Sequence, residues 1–175
     1  ETDKPSNQFL GKLCLAWEQT VSEGKSLGIR VVHLRTGLVL ARNGGVLSPM
    51  IKLTQWNLSS PMGKGDQWMS WIHIVDAVNM YVFALEHDQL TGTYNMAAPH
   101  PVSNETLTTE LAQTLKKSIW LPKVPVFLLK LLLGEMATLV LDSTQVSAHK
   151  IMEAGFDFKF PTLKAALKDI CEKKG

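Results

Sequence analysis

"IRVVHLRTG", residues 29–37, carries the clearest signal of fold class in this chain of 175 residues. Residues 29–34 form a run rich in β-branched side chains, which is typical of a strand covered on both faces. Such strands belong to parallel sheets, whose ligands bind beyond the carboxyl ends of the strands. Arg35 stands directly at that edge. It is therefore placed either to contact a ligand or to hold a loop through a salt bridge, and the sequence leaves both roles open.

Helical and extended patterns alternate on both sides of this strand. Apolar residues at helical spacing predict a helix that opens the chain and ends near residue 23, and further patterns predict helices over 46–57 and 75–88, a strand over 92–97 and a helix from Val102. In the helix over 75–88, the predicted inner side consists of Ala77, Val78, Tyr81, Val82 and Leu85. Beyond Trp120 the pattern becomes helical, over 125–133, about 135–141, about 145–154 and from 161 onward.

These patterns predict an α/β fold in which half of a doubly wound parallel sheet carries a smaller, mostly helical C-terminal substrate domain. Residues 1–100 are expected to form the sheet part and residues 101–175 the helical part. A doubly wound sheet normally begins with a strand and a Gly-rich turn, whereas this chain begins on a helix and contains no GxGxxG motif. We therefore expect the chain to be the back half of the fold.

The overall charge gives no electrostatic reason to expect nucleic acid or a membrane as a partner. The chain has 18 Lys and Arg against 16 Asp and Glu, with 45% hydrophobic residues. Its most apolar run, residues 124–141, is interrupted by Lys130, Gly134 and Glu135, which predicts a buried helix pair. Cys14 and Cys171 have no CxxC neighbour, so a disulfide framework is not indicated and a reducing cytoplasm is expected.

"QWMSWIHIVDA", residues 67–77, is the richest segment in side chains that could carry chemistry. Trp56, Trp68 and Trp71 either line a pocket beside Gln67 or fill the core, and their position near a Gly/Ser/Pro-rich loop favours the pocket. His73 and Asp76 are three residues apart, as metal ligands on one helix face can be, but no third ligand follows. Asp76 is better explained as a cap at a helix N-terminus.

Several blocks of the chain together resemble the atypical extended short-chain dehydrogenase/reductase group called the epimerase family. The blocks are "VVHLRTGLVLARNGGVL", "PMGKGDQWMSWIHIVDAV", "LPKVPVFLLKLLLGEMA" and "AGFDFKFPTLKAALKDI". The resemblance implies a Rossmann-type domain that binds NADP or NAD in the complete protein, together with a C-terminal domain that holds a small polar, nucleotide-sugar-like substrate. It also implies that the missing N-terminal half of the fold is a partner of this chain, and it leaves homo-oligomer formation open.

The resemblance also implies site residues. The loop after the strand, Arg35, Thr36, Gly37, Leu38 and Val39, corresponds to the family's cofactor-binding edge. The residues expected to bind the substrate are Gln67, Trp68, Trp71, His73 and Asp76. No metal is implied.

One departure from the family concerns the Tyr-x-x-x-Lys pair of short-chain reductases, in which the lysine lowers the tyrosine pKa for proton exchange with the substrate. Alignment on Glu18 places Leu10 at the tyrosine position and Cys14 at the lysine position. Leu10 cannot exchange a proton with the substrate, and Cys14 has no positive charge that would lower the pKa of a tyrosine. The leading hypothesis is an NAD(P)-dependent epimerase/dehydratase-like oxidoreductase. The alternative is a cofactor-binding sensor or scaffold with impaired catalysis.

Overall fold

The computed structural model describes residues 9–134, 137 and 141–172. Within these residues the strands are β1 (Val32–Thr36), β2 (Leu38–Leu40), β3 (Trp68–Met69), β4 (Trp71–His73), β5 (Gly92–Met96) and β6 (Val102–Ser103). The α-helices are α1 (Phe9–Ser22), α2 (Leu47–Gln55), α3 (Ile74–Glu86), α4 (Asn104–Thr114), α5 (Val126–Leu133), α6 (His149–Glu153) and α7 (Leu163–Glu172). A short 3-10 helix, Glu23–Leu27, continues α1.

Parallel pairing dominates the strands, which confirms the α/β class. β1 pairs in parallel with β5, and β2 pairs in parallel with β4, while β3 and β6 form a short antiparallel ladder. Gly37 joins the two parallel ladders, because its N–H donates to Met96 O at 3.0 Å and the next N–H, from Leu38, donates to Ser70 O at 2.7 Å. The carboxyl ends of β1 and β5 therefore meet beside the loop that contains Ser70.

The strand predicted over 29–34 lies further along the chain and is less covered than expected. β1 spans Val32–Thr36, with half-buried residues at its start and exposed Arg35 and Thr36 at its end. Among the described residues, β1 pairs only with β5, so its second edge has no strand beside it. The prediction of full cover on both faces is wrong for the described residues, because Val32, His33 and Leu34 are only half-buried and Arg35 and Thr36 are exposed.

The predicted inner side of α3 is wrong except for Ala77. The buried residues are Asp76, Ala77, Met80 and Ala84, whereas Val78, Tyr81, Val82 and Leu85 are all exposed. Apolar residues occupy two stripes of this helix, so helical periodicity alone could not identify the stripe that packs against the sheet.

Two hydrophobic clusters form the core. The first joins Leu40, Leu47 and Trp71 to α4 through Leu107 and to α7 through Leu163, and it therefore crosses the boundary expected at residue 100. The second packs α3 and β5 against α6 and residues 156–158. Each cluster contains residues from both sides of residue 100. The division into residues 1–100 and 101–175 remains a prediction.

The C-terminal part is less helical than the sequence pattern predicts. α6 covers only 149–153, while residues 145–148 run without helix along the strands. The helix expected over about 135–141 lies outside the described residues, apart from 137 and 141. In the described part of the chain, every helix is too short or too polar to cross a bilayer.

Candidate functional site

A cavity of about 970 Å³ opens at the carboxyl end of β1. One wall comes from α1, through Gly11, Cys14, Leu15 and Glu18. The floor comes from residues 35–38 and Asn95, and the remaining walls from residues 68–70 and from 142, 144–147, 149 and 150. The location matches the rule that ligands of parallel α/β sheets bind beyond the carboxyl ends of the strands.

Arg35 forms an ion pair with Glu18 inside this cavity. Its Nε lies 2.7 Å from Glu18 Oε1 and its Nη2 lies 2.8 Å from Oε2, which is the two-point geometry that fixes a guanidinium most firmly. The Arg35 hydrogen bond lowers the pKa of the Glu18 carboxyl below its ordinary value, against the opposing effect of burial. Glu18 is therefore ionised at neutral pH, and Arg35 ties β1 to α1.

Gly37 allows the floor of the cavity to form. A Cβ at this position would lie 2.4 Å from Ser70 O, a contact that only backbone movement could relieve. Thr36, Gly37 and Leu38 all line the cavity. Val39 does not line it, because its side chain packs against the second hydrophobic cluster.

Helix α1 presents to the cavity one of the two positions of the family's Tyr-x-x-x-Lys pair, the lysine position that Cys14 occupies. Cys14 is exposed and lines the cavity together with Gly11, one helical turn before Glu18. Leu10 lies in the first turn of α1, and its side chain is outside the described part of the chain. Lys12 is exposed and is not among the residues that line the cavity.

Sequence reasoning missed the wall formed by residues 142–150. Ser70 holds this segment, because its Oγ donates to Thr144 O at 2.8 Å and accepts from Val146 N at 3.0 Å. Asn95 Nδ2 donates to Ser147 O at 3.0 Å, and Thr144 N donates to Trp68 O at 2.9 Å. These bonds run mostly to main-chain atoms, so no residue pattern in the segment itself could have revealed them.

The aromatic and amide residues expected to bind the substrate occupy different environments. Trp68 lines the cavity, with part of its ring exposed. Trp71 is fully buried in the first hydrophobic cluster, and its Nε1 donates to His100 O at 3.0 Å, so the core placement is correct for this residue. Gln67 is buried away from the cavity lining and donates from Nε2 to Met62 O at 3.1 Å. Trp56 is exposed and is not among the lining residues.

His73 and Asp76 do not line the cavity, and both connect structural elements. His73 is the N-cap of α3, because its Nδ1 accepts from Val75 N at 3.1 Å, and its Nε2 lies 3.4 Å from Asp169 Oδ2 on α7. The fully buried Asp76 carboxylate accepts from Lys159 N and Phe160 N, each at 2.9 Å. The expectation that Asp76 is the helix cap is therefore wrong, since His73 has that role.

The ionisable groups of the cavity determine what chemistry it can support. Besides the Glu18–Arg35 pair they are Cys14, Asp142, His149 and Lys150. Lys150 donates from Nζ to Thr93 O, and its Nζ also lies 4.4 Å from the centre of the Tyr94 ring. No tyrosine hydroxyl is among the groups that line the cavity, and no cluster of metal-ligating side chains occurs among the residues that the structure describes.

Comparisons with known proteins agree with this geometry. The model of the NAD dependent epimerase/dehydratase family matches residues 4–97, and a domain of unknown function, DUF1731, matches residues 124–170. Over 172 residues the chain is 38% identical to the Arabidopsis thaliana chloroplastic homolog of epimerase family protein SDR39U1, covering 98% of this chain and 49% of that relative. It is 35% identical over 167 residues to Staphylococcus aureus epimerase family protein SAR0825, covering 94% of this chain and 55% of that relative. The chain thus spans about half the length of the curated relatives it matches.

Solved structures support the same assignment. The crystal structure of human epimerase family protein SDR39U1 with NADPH superposes with a TM-score of 0.79 at 28% identity, covering 89% of this chain and 55% of that one. A nucleoside-diphosphate sugar epimerase from Corynebacterium glutamicum superposes with a TM-score of 0.77 at 26% identity, covering 97% of this chain and 32% of that one. The resemblance and the Rossmann-type fold expected from the sequence are thereby confirmed. Since the family model matches 4–97 of 175 residues, more than half of the chain, this protein belongs to the NAD dependent epimerase/dehydratase family.

Proposed function

We propose that this chain is the nicotinamide-side half of an NAD(P)-dependent epimerase/dehydratase-like oxidoreductase that acts on a small polar substrate. The observation that carries the proposal is the cavity at the carboxyl end of β1, which is lined by Thr36, Gly37 and Leu38 on one side and by residues 142–150 on the other. The NADPH in the human relative's structure supports this choice of cofactor, and so does the NAD dependence in the name of the matched family.

The residues of the cavity fit one end of a dinucleotide. Leu38, Leu15 and Cys14 offer apolar surface for a flat ring, and the tight packing of Gly37 against Ser70 keeps the floor close to the main chain. The pyrophosphate normally binds at a Gly-rich turn before a helix, and the sequence contains no such motif. When bound, the nicotinamide ring would supply hydride exchange with the substrate.

The cavity walls suit a polar substrate. Asp142, Thr144, Gln145 and Ser147 place hydroxyl, amide and carboxylate groups around the opening, and Trp68 lines the cavity beside them. Such groups hydrogen-bond the hydroxyls of a sugar, while an aromatic face packs against the apolar side of the ring. A nucleotide-sugar-like substrate is therefore the class that we propose, in line with the sugar epimerase among the similar structures.

A second part of the proposal is that the N-terminal half of the fold docks on β1. The second edge of β1 has no strand beside it among the described residues, and Trp17, Val21 and Leu27 are exposed on α1 and the 3-10 helix that follows it. Unpaired strand edges and exposed apolar surface favour association with another chain or segment. The missing half would cover this side and complete the dinucleotide site.

A measurement of hydride transfer in the complete protein distinguishes the proposed enzyme from a cofactor-binding sensor. The sensor alternative is based on Leu10 and Cys14, which occupy the positions of the Tyr-x-x-x-Lys pair. We expect hydride transfer from the reduced cofactor to the carbonyl carbon of a keto-sugar, followed as loss of nicotinamide absorbance in a single turnover. The double variant Leu10→Tyr, Cys14→Lys should accelerate it by about 10²-fold, because the tyrosine donates a proton to the carbonyl oxygen as the hydride arrives. The matched control, Leu10→Phe with Cys14→Met, adds no proton donor and should leave the rate unchanged. Tight cofactor binding without hydride transfer in the parent and in the Tyr/Lys variant would identify a sensor.

A further inference from the structure

Two segments of this chain carry a net positive charge because they lack acidic residues. Residues 43–65 and 111–134 contain no Asp or Glu, yet they carry Lys52, Lys64, Lys116, Lys117, Lys123 and Lys130. Six positive charges therefore lie in these segments, whereas the net charge of the whole chain is only +2. The average charge, on which the expectation of no membrane partner was based, conceals this asymmetry.

The fold brings the two segments side by side. Trp120 Nε1 donates to Asn57 O at 2.8 Å, and Ser60 Oγ donates to Pro122 O at 2.6 Å. Next along the chain, Val124 N donates to Pro61 O and Gly63 N donates to Val124 O, both at 2.9 Å. We call the combined surface of residues 43–65 and 111–134 the lysine face. Five of its lysines are exposed, and Lys117 is half-buried.

Large apolar side chains project from the lysine face. Trp56 is 71% exposed, Trp120 68%, Phe127 72% and Leu131 78%. Phe127 and Leu131 are one turn apart on α5, so they share a side of that helix, and the exposed Lys130 is adjacent in sequence to Leu131. α5 has only eight residues, which is far shorter than a membrane span, so it can lie in a bilayer surface but cannot cross it.

We propose that the lysine face docks in the plane of an anionic lipid bilayer. Tryptophan and phenylalanine rings settle at the boundary between headgroups and acyl chains, and lysines around them attract anionic headgroups. The apolar contribution comes mainly from the four most exposed side chains, with smaller ones from Leu53, Leu58 and Val126. The electrostatic contribution comes from lysines with no acidic residue in either segment. Lys123 contributes least, because it pairs with Glu105 at 2.8 Å.

A nucleic acid is the less favoured polyanion for this surface. All six cationic residues are lysines and none is arginine, although arginine is the residue of choice for two-point phosphate recognition. A phosphate backbone also offers no apolar surface that would cover the exposed Phe127 and Leu131 side chains, whereas a bilayer buries them.

Vesicle sedimentation of the 175-residue chain tests the proposal. We expect binding to vesicles of phosphatidylcholine mixed with phosphatidylglycerol, little binding to phosphatidylcholine alone, and loss of binding as salt is raised. Trp56 and Trp120 should show a blue shift in their emission when the chain binds, because their rings leave water.

Two sets of variants assign the binding to the lysine face. The triple variant Lys52→Gln, Lys116→Gln, Lys130→Gln should lower the partition coefficient by about a hundredfold, while the control Lys12→Gln, Lys25→Gln, Lys168→Gln removes the same charge elsewhere and should change it far less. Phe127→Ser with Leu131→Ser should lower it by roughly tenfold or more, since two exposed side chains lose their apolar contact with the bilayer. Leu27→Ser with Leu85→Ser, at similarly exposed sites, is the matched control, and circular dichroism checks folding in every variant.

Three outcomes would overturn the proposal. The first is absence of binding to anionic vesicles at low salt. The second is equal loss of binding in the lysine-face variants and in their controls. The third is binding to a DNA oligonucleotide that exceeds vesicle binding and survives Phe127→Ser with Leu131→Ser, which would make the surface a nucleic-acid site.

Discussion

Single residues set the shape and charge of the cavity. Gly37 lies between β1 and β2. Arg35 is the second-last residue of β1, and its side chain is held by an ion pair with Glu18. The sequence placed both residues at the carboxyl edge but could not decide what Arg35 does. Its two-point bond to Glu18 depends on a helix that lies 17 positions earlier in the chain, and residue spacing does not record such a contact.

Substitution of Gly37 by alanine should be severely destabilising. The added Cβ would lie 2.4 Å from Ser70 O, which is a main-chain atom, so the strain must move backbone. We expect a loss of about 2–3 kcal/mol in the free energy of unfolding, in the range of overpacked core sites. Gly44→Ala, which has no atom within 4 Å of the added Cβ, is the control and should change stability little in the same urea titration.

The Glu18–Arg35 pair should make stability depend on pH in a defined direction. Because the folded-state pKa of Glu18 is lowered, its stabilising contribution is complete above its ordinary pKa and disappears as the pH falls through the folded-state value. Both side chains are partly exposed, at 24% and 41%, so we expect Glu18→Gln to cost about 1 kcal/mol or less at neutral pH and nothing at strongly acidic pH. A cost that is equal at both pH values, measured beside Glu23→Gln, would contradict this assignment.

At the scale of elements, long periodic segments were predictable and contacts between distant segments were not. The sequence located α1, α2, α3 and α4 to within a few residues. It missed β2 and β4, which have three residues each, and β3 and β6, which have two residues each. It also predicted helix at residues 145–148, which are not helical, because hydrogen bonds to Ser70 and Asn95 hold that segment from outside. Of the predicted site residues, 35–38 and Trp68 line the cavity, whereas the wall formed by residues 142–150 was not foreseen.

The junction between α3 and the C-terminal part depends on Asp76. Its carboxylate is fully buried and accepts hydrogen bonds from two main-chain N–H groups, those of Lys159 and Phe160. Asp76→Ala leaves both donors without this acceptor, so we expect a loss of about 3 kcal/mol in the free energy of unfolding. Asp157→Ala, at an exposed position two residues before Lys159, should cost far less, and a similar loss in both variants would argue against this role for Asp76.

At the scale of the whole molecule, we propose that the chain is one side of a two-part dinucleotide site. Parallel strands, a cavity at their carboxyl ends and a second wall from the C-terminal segment are all present in the described residues. The Gly-rich motif that would hold the pyrophosphate is absent from the sequence. The nicotinamide end of the cofactor should therefore have a binding surface on this chain, and the adenosine end should not.

Titration of the isotope-labelled chain with cofactor fragments, followed by nuclear magnetic resonance, tests this claim most directly. We expect reduced nicotinamide mononucleotide to bind weakly and to shift the amide signals of Thr36, Gly37 and Leu38, while adenosine monophosphate leaves them unchanged. Equal shifts with adenosine monophosphate, or shifts with neither fragment in a well-folded chain, would contradict the account.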